Sequence, residues 1–273
     1  MKNSDLHTHS YYSDGMFSPR EVVKLAKKNG IKTLSLTDHN SFDGVEEAIT
    51  MGKKLGIRII PGIELRSKDG EVLGYFIDIH NKELISNVKK IQKRSEEVFN
   101  NTLKKLKGVG IKAKSEEVLD TKFKRQNVII AYLWKYLKRK YDLDIKEIKK
   151  LMKGPKFKAK FSTEKVIKII INGGGVPVLA HPWYSQKLLS DKRFKLLVKA
   201  GLKGVEIDNG GINEEKKTQI KKIIGFAKKY NLIITSGSDF HGDFLLMSTK
   251  HSIGKSNCDE KVVSELNLAR SKR

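Results

Sequence analysis

Residues 18–39 read SPREVVKLAKKNGIKTLSLTDH, and this stretch decides the class of fold. Ser18 stands as a helix N-cap, Pro19 takes the first helical position, Glu21 completes the capping pattern, and Gly30 stops the helix. IKTLSLTDH (31–39) then alternates apolar and polar residues as a strand does, ending in Asp38 and His39. The alternation extends in both directions. Upstream, KNSDLHTHS is short and polar, but an extended run there would alternate its faces. Downstream, Asp43 is placed to cap a helix to about Leu55, followed by strands IRIIPGIEL (57–65) and EVLGYFIDI (71–79). Strand and helix in turn over the first eighty residues imply a parallel α/β arrangement.

From Asn81 to about Gly154 the pattern changes to lysine-rich helix, read at 83–107, about 115–121, 127–140 and 144–152. Alternation then resumes: helix 163–172, strand VPVLAHP (176–182), helix 190–200, strand GVEID (204–208), helix 213–230 and strand LIITSGSDFH (232–241). An α/β body at 1–83 and 160–273, interrupted by a helical insertion at 84–159, is the simplest account. The formal charge of +24 comes from nine arginines and 46 lysines set against 31 acids. It is concentrated: residues 84–160 hold 23 Lys+Arg and 8 Asp+Glu. A basic surface raises the local concentration of anions and so favours phosphate-bearing substrates; long nucleic acid is compatible but not required. No apolar run approaches the roughly 20 residues of a membrane-spanning helix. MKNSDLHTHS carries no apolar signal segment, and the single Cys258 excludes an internal disulfide framework. A soluble, cytoplasmic protein is the expectation.

The chemistry-bearing residues fall at the ends of the expected strands: His7 and His9, Asp38 and His39, Glu64, Glu71, His181, Asp239 and His241. Five of the seven histidines are among them, while His80 and His251 lack this setting and read as surface residues. Ligand groups gather at strand carboxyl ends in α/β sheets and barrels. Taken singly, HTH passes for surface or helix-capping histidines, TDHN for a helix start, AHPW for a proline-set turn and SDFHG for a polar loop. Their shared placement favours a metal site. Imidazole and carboxylate without cysteine suit Zn, Mn and Fe in a catalytic rather than a structural setting.

In order, DLHTHSYYSDG, SLTDHNSFDG, PGIEL, GGVPVLAHP (174–182), GVEI and SGSDFHG resemble the PHP (polymerase and histidinol phosphatase) superfamily of metal-dependent phosphoesterases, nearly end to end. The helical insertion before the VLAHP segment is similar to the branch of nucleotide phosphatases and short-RNA 5'-exonucleases. The resemblance implies a distorted seven-stranded (β/α) barrel holding two or three divalent ions (Mn, Zn, Fe or Mg) at its C-terminal face. It implies that His7, His9, Glu64 and Asp239 hold one ion, and that Asp14, His39 and His241 hold another. Glu64 would bridge to a third ion, which His181 helps to bind. Asp38, His39 and His241 would be the catalytic groups, with Asp38 orienting a histidine and Ser238 in support. Cations so placed lower the pKa of water toward roughly 7 and stabilise charge on phosphoryl oxygens.

Two departures stand out. The family's HxLGY reads EVLGY here, so Glu71 replaces a histidine; it either ligates the third ion, shifting preference toward Mn or Mg, or points away. The family's RPH reads RQN at 125–127, so Asn127 replaces a histidine near the substrate. Arg94 and Arg125 are candidate phosphate forks, with a solvated helix face as the equal alternative for each. The resulting expectation is hydrolysis of a nucleotide phosphate monoester of the AMP or 3',5'-bisphosphate type. A 5'→3' exonuclease on short RNA is the alternative. A histidinol phosphatase or a non-catalytic nucleic-acid-binding scaffold ranks lower.

Overall fold

In a computed structural model the chain is described at residues 2–119, 130–151, 159–208, 214–242 and 252–271. Helix α1 (Pro19–Lys28) starts as its sequence dictates. Ser18 Oγ accepts the Glu21 N–H at 3.2 Å while the Glu21 carboxylate accepts the Ser18 N–H at 2.8 Å. It buries Val22, Val23 and Ala26 with Leu34 and Leu36 of β2 (Thr33–Leu36). Helix α2 spans Val45–Leu55, but Gly44 is its N-cap; Asp43, expected there, accepts from Ser41 Oγ at 3.0 Å.

Strands β1 (Lys2–Thr8), β2 and β3 (Arg58–Arg66) pair in parallel. The expected all-parallel run then ends. Strand β4 (Glu71–Tyr75) is antiparallel to both β3 and β5 (Val176–Ala180). Its connection to β3 is only residues 67–70, far too short for a parallel crossover. The strand also stops at Tyr75 rather than at 79, because Phe76 turns the backbone with φ 59°. Strands β6 (Gly204–Asp208) and β7 (Ile233–Ser236) restore parallel pairing. The sheet has eight strands, not seven, in the order β7-β6-β5-β4-β3-β2-β1-β8. The additional one, β8 (Cys258–Asp259), is two residues antiparallel to β1.

The sheet nearly closes on itself. Past β7, Asp239 N–H reaches the His7 carbonyl at 2.8 Å, and His9 N–H reaches the Phe240 carbonyl at 2.9 Å. Gly237 makes this approach possible, since a Cβ there would lie 2.4 Å from His7 backbone N and Cβ. Gly237→Ala is therefore expected to lower stability by about 1–3 kcal/mol through overpacking, read as a reduced thermal midpoint. An unchanged midpoint would place the seam elsewhere.

Helices α7 (Thr163–Asn172), α8 (Asp191–Lys199) and α9 (Glu214–Lys229) complete the core. Residues of α7, α8 and α9 bury Ile63, Leu65 and Leu179 in the largest cluster. Helix α10 (Glu260–Ser271) packs Val263 and Leu266 against Leu6, Ile60, Leu73, Tyr75, Val176 and Val178. Helix α3 (Lys82–Gly108) spans two cores: Leu84, Val88 and Ile91 join the main one, whereas Phe99 and Leu106 pack with Val118, Leu133 and Ile148. The latter residues come from α4 (Ser115–Val118), α5 (Ile130–Tyr141) and α6 (Ile145–Leu151). Among the described residues no helix is long and apolar enough to cross a membrane.

Candidate metal centre

The strand ends at one mouth of the sheet converge. His7 lies in β1 and His9 just beyond it, Glu64 lies in β3, His181 directly follows β5, and Asp239 and His241 follow β7. Because β4 runs antiparallel, its first residue, Glu71, sits at this same end, opposite Ala180. His39 bridges to Glu64 beyond the end of β2. Three non-glycine residues here take left-handed backbone: Asn40 (φ 50°), His181 (φ 23°) and Asp239 (φ 52°). Such conformations persist where the surroundings over-determine them. The Asn40 N–H is held by the Glu64 carbonyl at 2.8 Å, His181 N–H by Glu206 Oε2 at 3.0 Å, and Asp239 N–H by the His7 carbonyl.

Glu64, fully buried, is the hub. Its Oε2 lies 2.9 Å from His39 Nδ1, 3.3 Å from His7 Nε2 and 3.5 Å from His9 Nε2, and its Oε1 lies 2.9 Å from His181 Nε2. Asp239 Oδ1 is 3.2 Å from His9 Nε2 and 3.4 Å from His7 Nε2. On the other side Asp14 Oδ1 is 3.1 Å from His241 Nε2, and Oδ2 is 3.7 Å from His39 Nε2. Glu71 stands farther out, 3.7 Å from His39 Nδ1 and 3.8 Å from His181 Nε2.

Among the described residues, four overlapping groups have donor atoms within 4.8 Å of one another: His9–Asp14–His39–His241, His7–Glu64–His181, His7–His9–Asp239 and His39–Glu64–Glu71. His7 Nε2, His9 Nε2, Asp14 Oδ1 and Glu64 Oε2 are buried and, although close to one another, make no well-directed hydrogen bond. Buried polar atoms left unsatisfied are costly, and these are the atoms a cation would engage. The donor set, imidazole nitrogen and carboxylate oxygen, fits divalent metal ions.

The cluster's protonation follows from its charges. Burial opposes charge on His7, yet Glu206, Asp239 and Glu64 raise it well above the ordinary imidazole range. Burial likewise opposes charge on His39, and Glu64 and Asp14 overcome it. Against burial, Glu64 brings His181 up to about 9, and Asp14 and Asp239 bring His241 up to about 9. Only His9 is driven down, to about 3, by burial and by neighbouring His241 and His39. The metal-free cluster is thus held by imidazolium–carboxylate attraction. Stability from His181 and His241 is fully present below 6.5, their ordinary value, and is lost as pH rises through about 9. Metal-free protein is expected to show a thermal midpoint that falls across that window. Cation uptake near pH 7 is expected to release protons into a lightly buffered solution. A flat midpoint and no proton release would contradict this account.

Asp38 does not orient a histidine directly. Its buried carboxylate accepts from Ser10 N–H at 2.7 Å, Ser10 Oγ at 2.7 Å and Ser13 Oγ at 2.6 Å, holding the loop that carries Asp14. Arg94 is half-exposed and pairs with Glu97 of its own helix at 3.0 Å. Arg125, Asn127 and His251 lie outside the described residues. His80 is exposed, as its setting implied. Ser238 offers its N–H to buried Asp5 at 2.9 Å.

Sequence reasoning did not single out Glu206. It is fully buried in β6, its Oε1 taking His7 Nδ1 at 2.9 Å and its Oε2 the His181 N–H at 3.0 Å. The available signal was an acid inside an apolar strand, GVEID, since a buried carboxylate needs partners.

A nearly closed mixed sheet with a buried histidine–carboxylate cluster at its mouth defines a protein equipped to hold divalent cations. The PHP domain model matches residues 5–153, and the chain belongs to that family. It is 30% identical over 264 residues to a 5'-3' exoribonuclease of Haemophilus influenzae, covering 88% of this chain and 90% of the relative. It is 27% identical over 259 residues to a 3',5'-nucleoside bisphosphate phosphatase of Chromobacterium violaceum, covering 88% of each. A solved structure of a metal-dependent phosphoesterase from Bifidobacterium adolescentis superposes with TM-score 0.85 at 22% identity. The superposition covers 98% of this chain and 96% of that one, a likeness that shows the fold.

Proposed function

We propose that this metal-dependent phosphoric ester hydrolase removes the phosphate of a nucleotide monoester, of the AMP or 3',5'-bisphosphate type. The observation that carries the reading is Glu64: one buried carboxylate faced by four imidazoles, with Asp14, Asp239 and Glu71 around them. Two or three ions among Mn, Zn, Fe and Mg suit these donors. His7, His9 and Asp239 would hold one, and Asp14, His39 and His241 another. His181, with Glu71, would serve a third beside Glu64. When bound, divalent cations supply Lewis acidity at phosphoryl oxygens and make nearby water more acidic. The chain's own contribution is placement. The Asp38–Ser10–Ser13 bonds fix the Asp14 loop, and the His7–Asp239 seam fixes the donors after β7. The helical stretch 84–159 is assigned as an insertion over this mouth; Gln92 of α3 donates to the Asn40 carbonyl, beside His39, at 2.9 Å.

A second reading, 5'→3' cleavage of short RNA by the same cluster, is supported by the exoribonuclease relative and by the 23 basic against 8 acidic residues of 84–160. The test is phosphate or nucleotide release from AMP, adenosine 3',5'-bisphosphate, 5'-phosphorylated RNA and histidinol phosphate, with Mn, Mg or Zn. Hydrolysis of none would refute the enzymatic reading. A steep fall of activity with salt would favour RNA, because each neutralised phosphate adds to the slope.

A further inference from the structure

Beside the cluster lies a cleft of about 330 Å³ that shares Glu71 and His181 with it. Its size is within the range of small-ligand sites, about 300–1,000 Å³. One wall is the end of β3, with Arg66, and the 67–70 turn that follows it, with Lys68; the other carries Tyr184 and Ser185.

The turn is held rigidly, and its holding groups are occupied. Ser67 Oγ bonds the Gly70 carbonyl at 2.6 Å and lies 2.9 Å from Thr163 Oγ1. Asp69 is taken by Arg193 at 2.7 Å, and Arg193 is also paired with Glu164 of α7. Gly70 packs so closely that a Cβ would meet Leu188 at 2.7 Å. What the turn leaves outward is Lys68, exposed and without an acidic partner among the described residues, beside Arg66, whose Nε lies 3.5 Å from Glu71.

The opposite wall is equally fixed. A 3-10 turn, Pro182–Tyr184, follows His181, and Tyr184 N–H bonds the His181 carbonyl at 3.1 Å. Trp183 is sunk into the main core, while Tyr184 is 69% exposed, its ring centroid 5.3 Å from that of His181. Among the described residues it is the only Phe, Tyr or Trp side chain left mainly in solvent. A rigid ring next to a phosphate-handling cluster, with two cations across a cleft, suits a ligand with a flat apolar face and a second negative group.

We propose that this cleft is a subsite for the part of the substrate beyond the scissile phosphate: the nucleobase stacks on Tyr184, and a 3'-phosphoryl group is met by Lys68 and Arg66. This deepens the proposed function and rests on its nucleotide reading. A base followed by a 3'-phosphoryl group occurs both in a free 3',5'-bisphosphate and at the 5' end of RNA.

The test is calorimetric titration of the full chain in EDTA, where turnover is stopped, with ribose 5-phosphate, AMP, adenosine 3',5'-bisphosphate and the dinucleotide pApA. The bisphosphate is expected to bind more tightly than AMP, and AMP more tightly than ribose 5-phosphate. Tyr184→Ala should weaken both nucleotides roughly 5- to 100-fold, the range of base stacking on one aromatic. Tyr184→Phe should keep the affinity, since the ring and not the hydroxyl is used. Lys68→Ala should remove the advantage of the bisphosphate over AMP, roughly tenfold for one charge-assisted contact. Both positions are exposed, and unchanged thermal midpoints would verify the fold. Equal affinity for AMP and ribose 5-phosphate, or a Tyr184→Ala variant that keeps the difference, overturns the subsite. Tighter binding of pApA than of the bisphosphate assigns it to an RNA end; the reverse assigns it to free nucleotides. Tyr184-dependent binding by a protein that hydrolyses no ester would sink the proposed function and leave the subsite standing.

Discussion

Glu64→Gln is expected to lower phosphate release by at least about 10³-fold and to reduce the number of tightly held metal ions per chain. The substitution keeps the volume of a fully buried side chain and removes only its charge. At an effective dielectric of about 20, two unit charges 4 Å apart attract by about 4 kcal/mol, equivalent to roughly three decades of rate or affinity. Glu64 lies within 3.5 Å of ring nitrogens on four histidines, so any cation these nitrogens hold is also its neighbour. Loss should exceed that from Glu71→Gln, whose carboxylate stands 3.7 and 3.8 Å from only two of them. Metal content of the purified variants together with phosphate-release rates decides the matter. A Glu64→Gln protein with full metal content and a rate within tenfold of the parent would remove Glu64 from the centre of the site. A cooperative unfolding transition in EDTA separates this from misfolding. Its midpoint too should move, because the carboxylate that attracts imidazolium at His39 and His7 is gone.

How much of this was legible beforehand depended on what each residue's role requires. Donors that end strands were readable because alternation in letters such as TLSLTDH shows where a strand stops, and ligands collect at such ends. Strand direction was not readable in the same way. EVLGY reads alike in a parallel and an antiparallel strand, and only the brevity of the SKDG connection (67–70) marks a hairpin. That turn places Glu71 at the mouth by the start of its strand rather than its end. Roles set by long-range packing were hidden altogether. Asp38 is expected to orient a histidine, but its oxygens are taken by serines 25 and 28 residues away. Arg94 has the chemistry for a phosphate, and its pairing with Glu97 of the same helix is likewise a detail of packing. Closure of the sheet depends on Gly237 lying against His7, a relation between the two ends of the fold that no local pattern carries.

Glu206→Ala is expected to weaken metal affinity by about 10- to 100-fold, the usual consequence of removing a carboxylate that orients a ligating histidine. Each oxygen of Glu206 has a separate task. Oε1, at 2.9 Å, takes the proton on His7 Nδ1, so that Nε2, facing Glu64 and Asp239, is the nitrogen that gives up its proton when a cation binds. Oε2 holds the amide of His181, whose φ of 23° needs an anchor. One carboxylate thereby couples the donor within β1 to the one after β5. Alanine leaves a buried N–H unsatisfied and His7 without its orienting partner. Breaking such a buried pair by removing one member costs about 3–5 kcal/mol. Glutamine is the discriminating variant. Its oxygen can replace one acceptor, but its NH₂ faces whichever donor remains, so it should fall between parent and alanine in both metal affinity and stability. Competition titration with a chromophoric chelator measures the first, and thermal unfolding in EDTA the second. If glutamine matched the parent in metal affinity, His7 would not depend on Glu206 for its tautomer, and the link between the two strand ends would be packing alone.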